Sequence, residues 1–359
     1  MPQIACNGRA AVQVHVSENF PELYADASLV FNRARWMGDH LEAILGGKKL
    51  NQLALPASHD AAMYPGGFSF SILGKTQDLN IYGQLAYGVR YFDLRPKYKN
   101  DDFILHHDII DGPQLSDVLD QIRQFFEEGH RELAVLKFSH YDGFDQDVFS
   151  KFCLRILDKT SGLGNWLYYA NRPLETRLAD RTLSTYLAKQ GTALVVCDGS
   201  YLFPPSPSPS PPSTSPGGLF YYRDWESSDP GNGDLTVFDI YSNTTSFDTM
   251  ANSKDPSEYG LPRGQLPKFR GNPPSYQGFN GKCLNDASIP CDLFLLSWTL
   301  TPITAVWPFS RLANKELVDN MAATGSNGFG QTVNLLYTDY SEYSRSTDVA
   351  VIRNGCAPT

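Results

Sequence analysis

The sequence predicts an α/β fold, a single-domain, imperfect TIM-like (β/α)8 barrel, on three observations. From about residue 50 onward, short apolar runs alternate with segments of helical period, the pattern of strands joined by crossover helices. Eight such runs occur, enough to close a barrel. Polar clusters follow several runs directly, where a parallel barrel gathers its functional groups.

The strand candidates are Leu50–Leu55, Val89–Leu94, Phe103–His107, Leu133–Phe138, Ala193–Cys197, Thr236–Tyr241, Leu293–Trp298 and Val333–Tyr337. After the third, Leu115, Val118, Leu119, Ile122, Phe125 and Phe126 recur every three or four residues and Gly129 supplies a stop, which predicts an amphipathic helix. Val148, Phe149, Phe152, Ile156 and Leu157 repeat the pattern after the fourth strand, as do Leu312, Leu317, Val318 and Met321 after the seventh. The Pro- and Ser-rich stretch 204–218 has no apolar residues with which to build a core, so it is read as an exposed loop within a barrel domain spanning 46–359. Residues 1–45, with Phe31, Trp36, Leu41 and Leu45, are read as a helical segment packing on the barrel.

A net charge of -9 and the lack of any Lys/Arg block argue against a nucleic-acid partner. No run of eighteen apolar residues is present to span a bilayer. Six cysteines form an even set without metal-ligand spacing. Cys283 and Cys291 bracket a short polar loop that suits a local disulfide, Cys6 and Cys356 are placed to pair by position alone, and Cys153 and Cys197 read as buried thiols. With the sequon at Asn243, this favours an oxidising, secreted or extracellular setting, although residues 1–20 lack a secretory signal.

Ser58-His59-Asp60, Asp93-Leu94-Arg95 and His106-His107-Asp108 each end a strand candidate, and Thr338-Asp339-Tyr340 follows the last. Two imidazoles across a pocket divide acid and base work, because both titrate near neutrality. A guanidinium between them offers a planar fork for phosphate oxygens, the place of Arg95. A carboxylate such as Asp339 would fix the tautomer of His59. A lone histidine after a strand is more often a surface or hydrogen-bonded structural residue, and the four clusters in phase shift the balance toward chemistry.

The segments ALPASHDAAM, GVRYFDLRP, FILHHD and LLYTDY, in that order, resemble the strand-end motifs of the phosphatidylinositol phospholipase C X-domain family, and the similarity extends over about residues 50–350. Lys75-Thr76-Gln77 and LTVFDIY add to it. The resemblance implies a phosphorus–oxygen lyase acting on phosphatidylinositol or a related lipid headgroup. In it His59 is base toward the inositol 2-hydroxyl, His107 is acid toward the diacylglycerol oxygen, Asp339 orients His59, Asp60 works with His107, and Arg95 binds phosphate. Asp93, Asp198, Asp239 and Tyr241 would support or contact the headgroup. No cofactor or metal is expected, since Arg95 stands where calcium-dependent relatives carry a carboxylate; a cation among Asp60, Asp93 and Asp108 is the alternative.

The chain departs from bacterial members at Cys197-Asp198 and Ser139-His140, where those carry basic residues, which favours an unphosphorylated inositol or another glycosyl diester. His140 is either a further titratable group or a rim residue. Phe70, Leu73, Trp307 and Phe309 fall where bacterial members touch lipid, so a transient membrane surface is an expected partner; packing within the protein is the other reading. A monomer is expected. The competing functions are a phosphodiesterase of different substrate and a non-catalytic membrane- or carbohydrate-binding barrel.

Overall fold

The computed structural model describes residues 3–6, 9–16, 25–27, 32–64, 74–171, 174–198, 217–224, 233–240, 244–247, 250, 292–300, 306–323, 333–355 and 357–358. In chain order the strands are β1 (Gln3–Cys6), β2 (Arg9–Val16), β3 (Ala25–Ala27), β4 (Leu55–Ser58), β5 (Tyr91–Leu94), β6 (Pro96–Lys99), β7 (Asp102–His107) and β8 (Ile110–Gln114). They continue as β9 (Leu133–Phe138), β10 (Thr192–Asp198), β11 (Leu219–Asp224), β12 (Leu235–Ile240), β13 (Leu293–Ser297), β14 (Leu335–Thr338) and β15 (Ala357–Pro358). β4, β5 and β9 to β14 pair in parallel and close into a barrel, β14 returning to β4. The predicted barrel is therefore present.

Its interior follows from the two-residue period of a strand. Leu55 and Ala57, Leu133 and Val135, Leu194 and Val196, Phe220 and Tyr222, Leu293 and Leu295, and Leu335 and Tyr337 are buried in one cluster. The alternate residues, among them Phe92, Leu136, Phe138, Val195 and Cys197, pack outward against helices 115–127 and 146–157. Continued beyond the apolar layer, the inward period of the strands reaches polar residues at the mouth, among them His59, Arg95, Lys137, Asp198, Asp239 and Asp339.

Two of the predicted strands need correction. Phe103–His107 is extended, but as part of β7 in an antiparallel sheet with β6 and β8 outside the barrel. Asn100 and Asp101, both at positive φ (53° and 60°), make the two-residue turn that folds β7 back on β6. The barrel place is taken by β11, whose LFYYRD follows the Pro/Ser-rich stretch. Leu50–Leu55 is also shifted, since Leu50–Gln52 is a 3₁₀ turn and pairing begins at Leu55.

Within 1–45, helical turns occupy 33–39 and 41–45, whereas β1, β2 and β3 are strands in a sheet completed by β15. Cys153 and Cys197 are buried free thiols. Cys283, Cys291, Cys356, Asn243 and the side chain of Cys6 lie outside the described residues, as does 204–216.

Trp36, Met37, Leu41 and Leu45 close the lower end of the barrel interior. Beneath them Arg90, the residue before β5, pairs with Glu132, the residue before β9, at 2.6 Å, with both side chains fully buried. Glu132 also accepts from the backbone of Met37 and Gly38, and Arg90 donates to the carbonyls of Arg33, Ala34, Leu85 and Val89. Burial pulls both groups toward neutrality, lowering Arg90 and raising Glu132, and their pairing opposes it. Glu132→Ala is thus expected to lower stability by about 3–5 kcal/mol, the cost of stranding a buried charge, read as a fall in the urea midpoint; a change below about 1 kcal/mol would show that water relieves Arg90.

Candidate active site

β4 ends at Ser58, and the chain turns through His59 into Asp60, whose φ of 41° is left-handed. Two buried side chains brace the turn. Thr76 Oγ1 donates to the Asp60 carbonyl at 2.9 Å and Gln77 Nε2 to that of His59 at 2.9 Å. Gln77 Oε1 accepts from Ser341 N, so the segment Lys75-Thr76-Gln77 clamps the end of β4 to the turn after β14. Left-handed residues also follow His107, Ser139 and Asp339, namely Asp108, His140 and Tyr340. Such backbone persists where the surroundings over-determine it, commonly at functional sites.

Asp339, on the inward period of β14, hydrogen-bonds His59 Nδ1 at 2.7 Å. His59 Nε2 faces Asp60 Oδ2 at 3.2 Å and lies 3.3 Å from Arg95 Nη2. Asp60 Oδ2 is also 3.4 Å from His107 Nε2, so both imidazoles aim the same nitrogen at one carboxylate oxygen. The other oxygen of Asp60 forms an ion pair with Arg95 Nε at 2.7 Å, while Arg95 Nη2 donates to Asp93 Oδ2 at 2.9 Å. The five residues expected to do chemistry, His59, Asp60, Arg95, His107 and Asp339, thus form one connected cluster.

His107 arrives differently from the expectation. It ends β7 of the antiparallel hairpin and is presented over the mouth from outside the barrel. Phe103 of the same strand packs on Phe144 and Phe152 at 5.7 and 5.5 Å between ring centroids, which anchors the hairpin to helix 146–157. His106 is pinned as well, its ring nitrogens 2.9 and 3.0 Å from the carbonyls of Asp108 and His140. His140 itself is exposed at the rim.

Below the histidines runs a line of alternating charges. Lys137 Nζ is 2.8 Å from Asp239 Oδ2 and 3.5 Å from Asp93 Oδ1, and Tyr222 Oη donates to the same Asp239 oxygen at 2.7 Å. Burial would raise Asp93, but Arg95 and Lys137 outweigh it and hold its carboxyl well below the usual range. Arg95 and Lys137, despite burial, are held well above theirs by Asp60 and Asp93 and by Asp239 and Asp93 respectively. Lys137, Tyr222 and Tyr337 escaped the sequence reading. A lysine inside the otherwise apolar LAVLKF is the available signal, and it sits two residues before Ser139, the strand end that lacks the basic residue of bacterial members.

Asp198 ends β10, half-buried, on the inward period of Leu194 and Val196. Trp307 is half-buried against Tyr340 and Tyr343, at 4.7 and 5.1 Å between centroids, and Phe309 is half-buried. Tyr241, Phe70 and Leu73 lie outside the described residues. Among those described, ligand atoms of His59, Asp60 and Asp93 lie within 4.8 Å of one another, a spacing that could hold a cation, but Arg95 bonds both carboxylates. Asp108, the third member of the alternative cation set, is 82% exposed.

Fold and site together define a parallel barrel with two histidines, an arginine and several carboxylates gathered at its C-terminal mouth. No family model matches the chain. It is similar to a PI-PLC X-box domain-containing protein of Dictyostelium discoideum, 29% identical over 163 residues covering 41% of this chain and 21% of that protein. It is also similar to the 1-phosphatidylinositol phosphodiesterase of Listeria monocytogenes, 30% identical over 121 residues, 32% of this chain and 36% of that one. The matched stretch is thus well under two thirds of either relative's length. Among solved structures, the phosphatidylinositol-specific phospholipase C of Listeria monocytogenes superposes with a TM-score of 0.54 at 18% identity, over 90% of this chain and 99% of that one. The Staphylococcus aureus phosphatidylinositol-specific phospholipase C gives 0.58 at 17%, over 90% and 98%. The fold is the one these enzymes share, and the chain's resemblance to the X-domain family stands.

Burial would lower the His59 imidazole, but Asp60 and Asp339 outweigh it and push it up to about 9. Because the folded value lies above the ordinary ~6.5, the stabilisation from His59 is complete below that pH and is lost as pH rises through about 9. A histidine-resolved NMR titration should place the His59 midpoint near 9, and Asp339→Asn should move it down; an unchanged midpoint would remove Asp339 from the account.

Proposed function

We propose that this chain is a phosphodiesterase that cleaves phosphatidylinositol, giving inositol 1,2-cyclic phosphate and diacylglycerol. The observation that carries the reading is the convergence of His59 Nε2 and His107 Nε2 on one oxygen of Asp60, with the Arg95 guanidinium on the other. Acid, base and anion clamp lie within the reach of a single phosphate group. The printed names of the Listeria and Staphylococcus relatives support the substrate class.

In this mechanism neutral His59 takes the proton of the inositol 2-hydroxyl as that oxygen attacks phosphorus. Asp339 holds the Nδ1 proton and so leaves Nε2 to act. His107, protonated and beside Asp60, gives its proton to the departing diacylglycerol oxygen. Arg95 binds the phosphate oxygens and offsets the charge that builds in the transition state. Asp93 holds Arg95, and Asp198, Asp239 and Tyr241 would recognise ring hydroxyls. Lys137 is already paired with two carboxylates, which suits an unphosphorylated ring better than a polyphosphorylated one. Trp307 and Phe309, with Phe70 and Leu73, would meet the membrane surface, and the protein would act as a secreted monomer. A second reading, a different glycosyl or lipid diester, draws on Asp198 at the end of β10, where bacterial members carry a basic residue.

Phosphorus NMR of phosphatidylinositol vesicles incubated with the protein in excess EDTA should show the cyclic phosphate. Turnover that vanished on chelation would overturn the role of Arg95, and turnover only of another diester would favour the second reading. His59→Ala and His107→Ala should each cost roughly 10²- to 10⁴-fold in kcat. Since the base works neutral and the acid protonated, kcat/KM of the parent should be bell-shaped in pH, falling on both sides of its maximum.

A further inference from the structure

Tyr337 sits on β14 two residues before Asp339, with its side chain in the barrel interior and buried. Its hydroxyl donates to Asp93 Oδ2 at 2.7 Å, the oxygen that also receives Arg95 Nη2 at 2.9 Å and Nε at 3.2 Å. Its ring lies 5.1 Å from the His59 imidazole, inclined at 57°. One strand therefore grips the base twice, at Nδ1 through Asp339 and at the ring face through Tyr337, and by the same tyrosine reaches the carboxylate that holds the phosphate clamp. Burial and the neighbouring Asp93 charge keep the phenol well above its usual range, so it stays a donor.

We propose that Tyr337 is a positioning residue, whose hydroxyl fixes the Asp93 carboxylate so that Arg95 presents its guanidinium beside His59 and Asp60. The inference rests on the phosphodiesterase reading for its catalytic consequence, and on geometry alone for its effect on Arg95. Asp93 faces Arg95, Lys137 and Tyr337; without the hydroxyl its Oδ2 keeps only the guanidinium and the distant Asp60 N–H at 3.4 Å. The carboxylate is then held less tightly, and so is the Arg95 guanidinium that it orients. Orientation errors of this kind act on the reaction step more than on substrate binding.

Tyr337→Phe keeps the ring and removes only the donor. The expected result is a fall in kcat of about tenfold with KM within about twofold, at a Tm close to the parent's. In the same variant the Arg95 Nε–H resonance, assigned by its absence in Arg95→Lys, should exchange with water faster than in the parent. An unchanged kcat together with an unchanged Arg95 resonance would overturn the proposal, as would a lower Tm with kcat preserved. Should Tyr337→Phe not fold, 3-fluorotyrosine placed at position 337, a stronger donor of nearly the same shape, should slow the Arg95 exchange; no slowing would overturn it. The resonance needs no substrate, so a parent that failed to cleave phosphatidylinositol would count against the function and leave this test readable.

Discussion

The site depends on one constraint, that a buried carboxylate and a buried cation each need the other. Arg95 is held by Asp60 and Asp93, Asp93 is shared with Lys137, and Lys137 is held by Asp239. Removing any member of such a line exposes its neighbours to a desolvation penalty of several kcal/mol per ion. The line explains why charged side chains at the top of four strands stay ordered in an interior that is otherwise aliphatic and aromatic. It also brings a fixed positive charge to the point where Asp60 meets both histidines.

The barrel and the hairpin make different contributions. β4, β5 and β14 supply His59, Arg95 and Asp339 from neighbouring strands whose register is set by parallel pairing, Thr338 opposite Ser58 and Ser58 opposite Phe92. β7 supplies His107 from a sheet whose position is set by aromatic packing on helix 146–157. Asp60 is the joint between them, because its Oδ2 contacts one imidazole from each unit.

Much of this was legible in the sequence because the two-residue strand period carries both burial and function. His59, Arg95 and Asp339 lie on the same period as Leu55, Tyr91 and Leu335, so the apolar runs that announced the strands also announced which polar residues would face the mouth. The period does not distinguish a barrel strand from a hairpin strand, so the sequence alone places Phe103–His107 in the barrel and leaves Leu219–Asp224 out of it. The turn residues Asn100 and Asp101 carried the missing information. Lys137, Tyr222 and Tyr337 were overlooked for another reason: inside an apolar run a lysine stem and a phenol ring pass for core, and only three-dimensional neighbours reveal their polar tips.

That His107 stands on the hairpin and His59 on the barrel has a consequence for how the molecule would fail. Hairpins and barrels open as separate cooperative units, and a unit with fewer buried contacts opens first. Fraying of β6 to β8 would carry His107 away while His59, Arg95 and the charges beneath them kept their places. Such a species would keep the Arg95 guanidinium in place and lose one of its two imidazoles. In the proposed phosphodiesterase, capture and turnover would be separable properties, with the boundary between them running through one oxygen of Asp60.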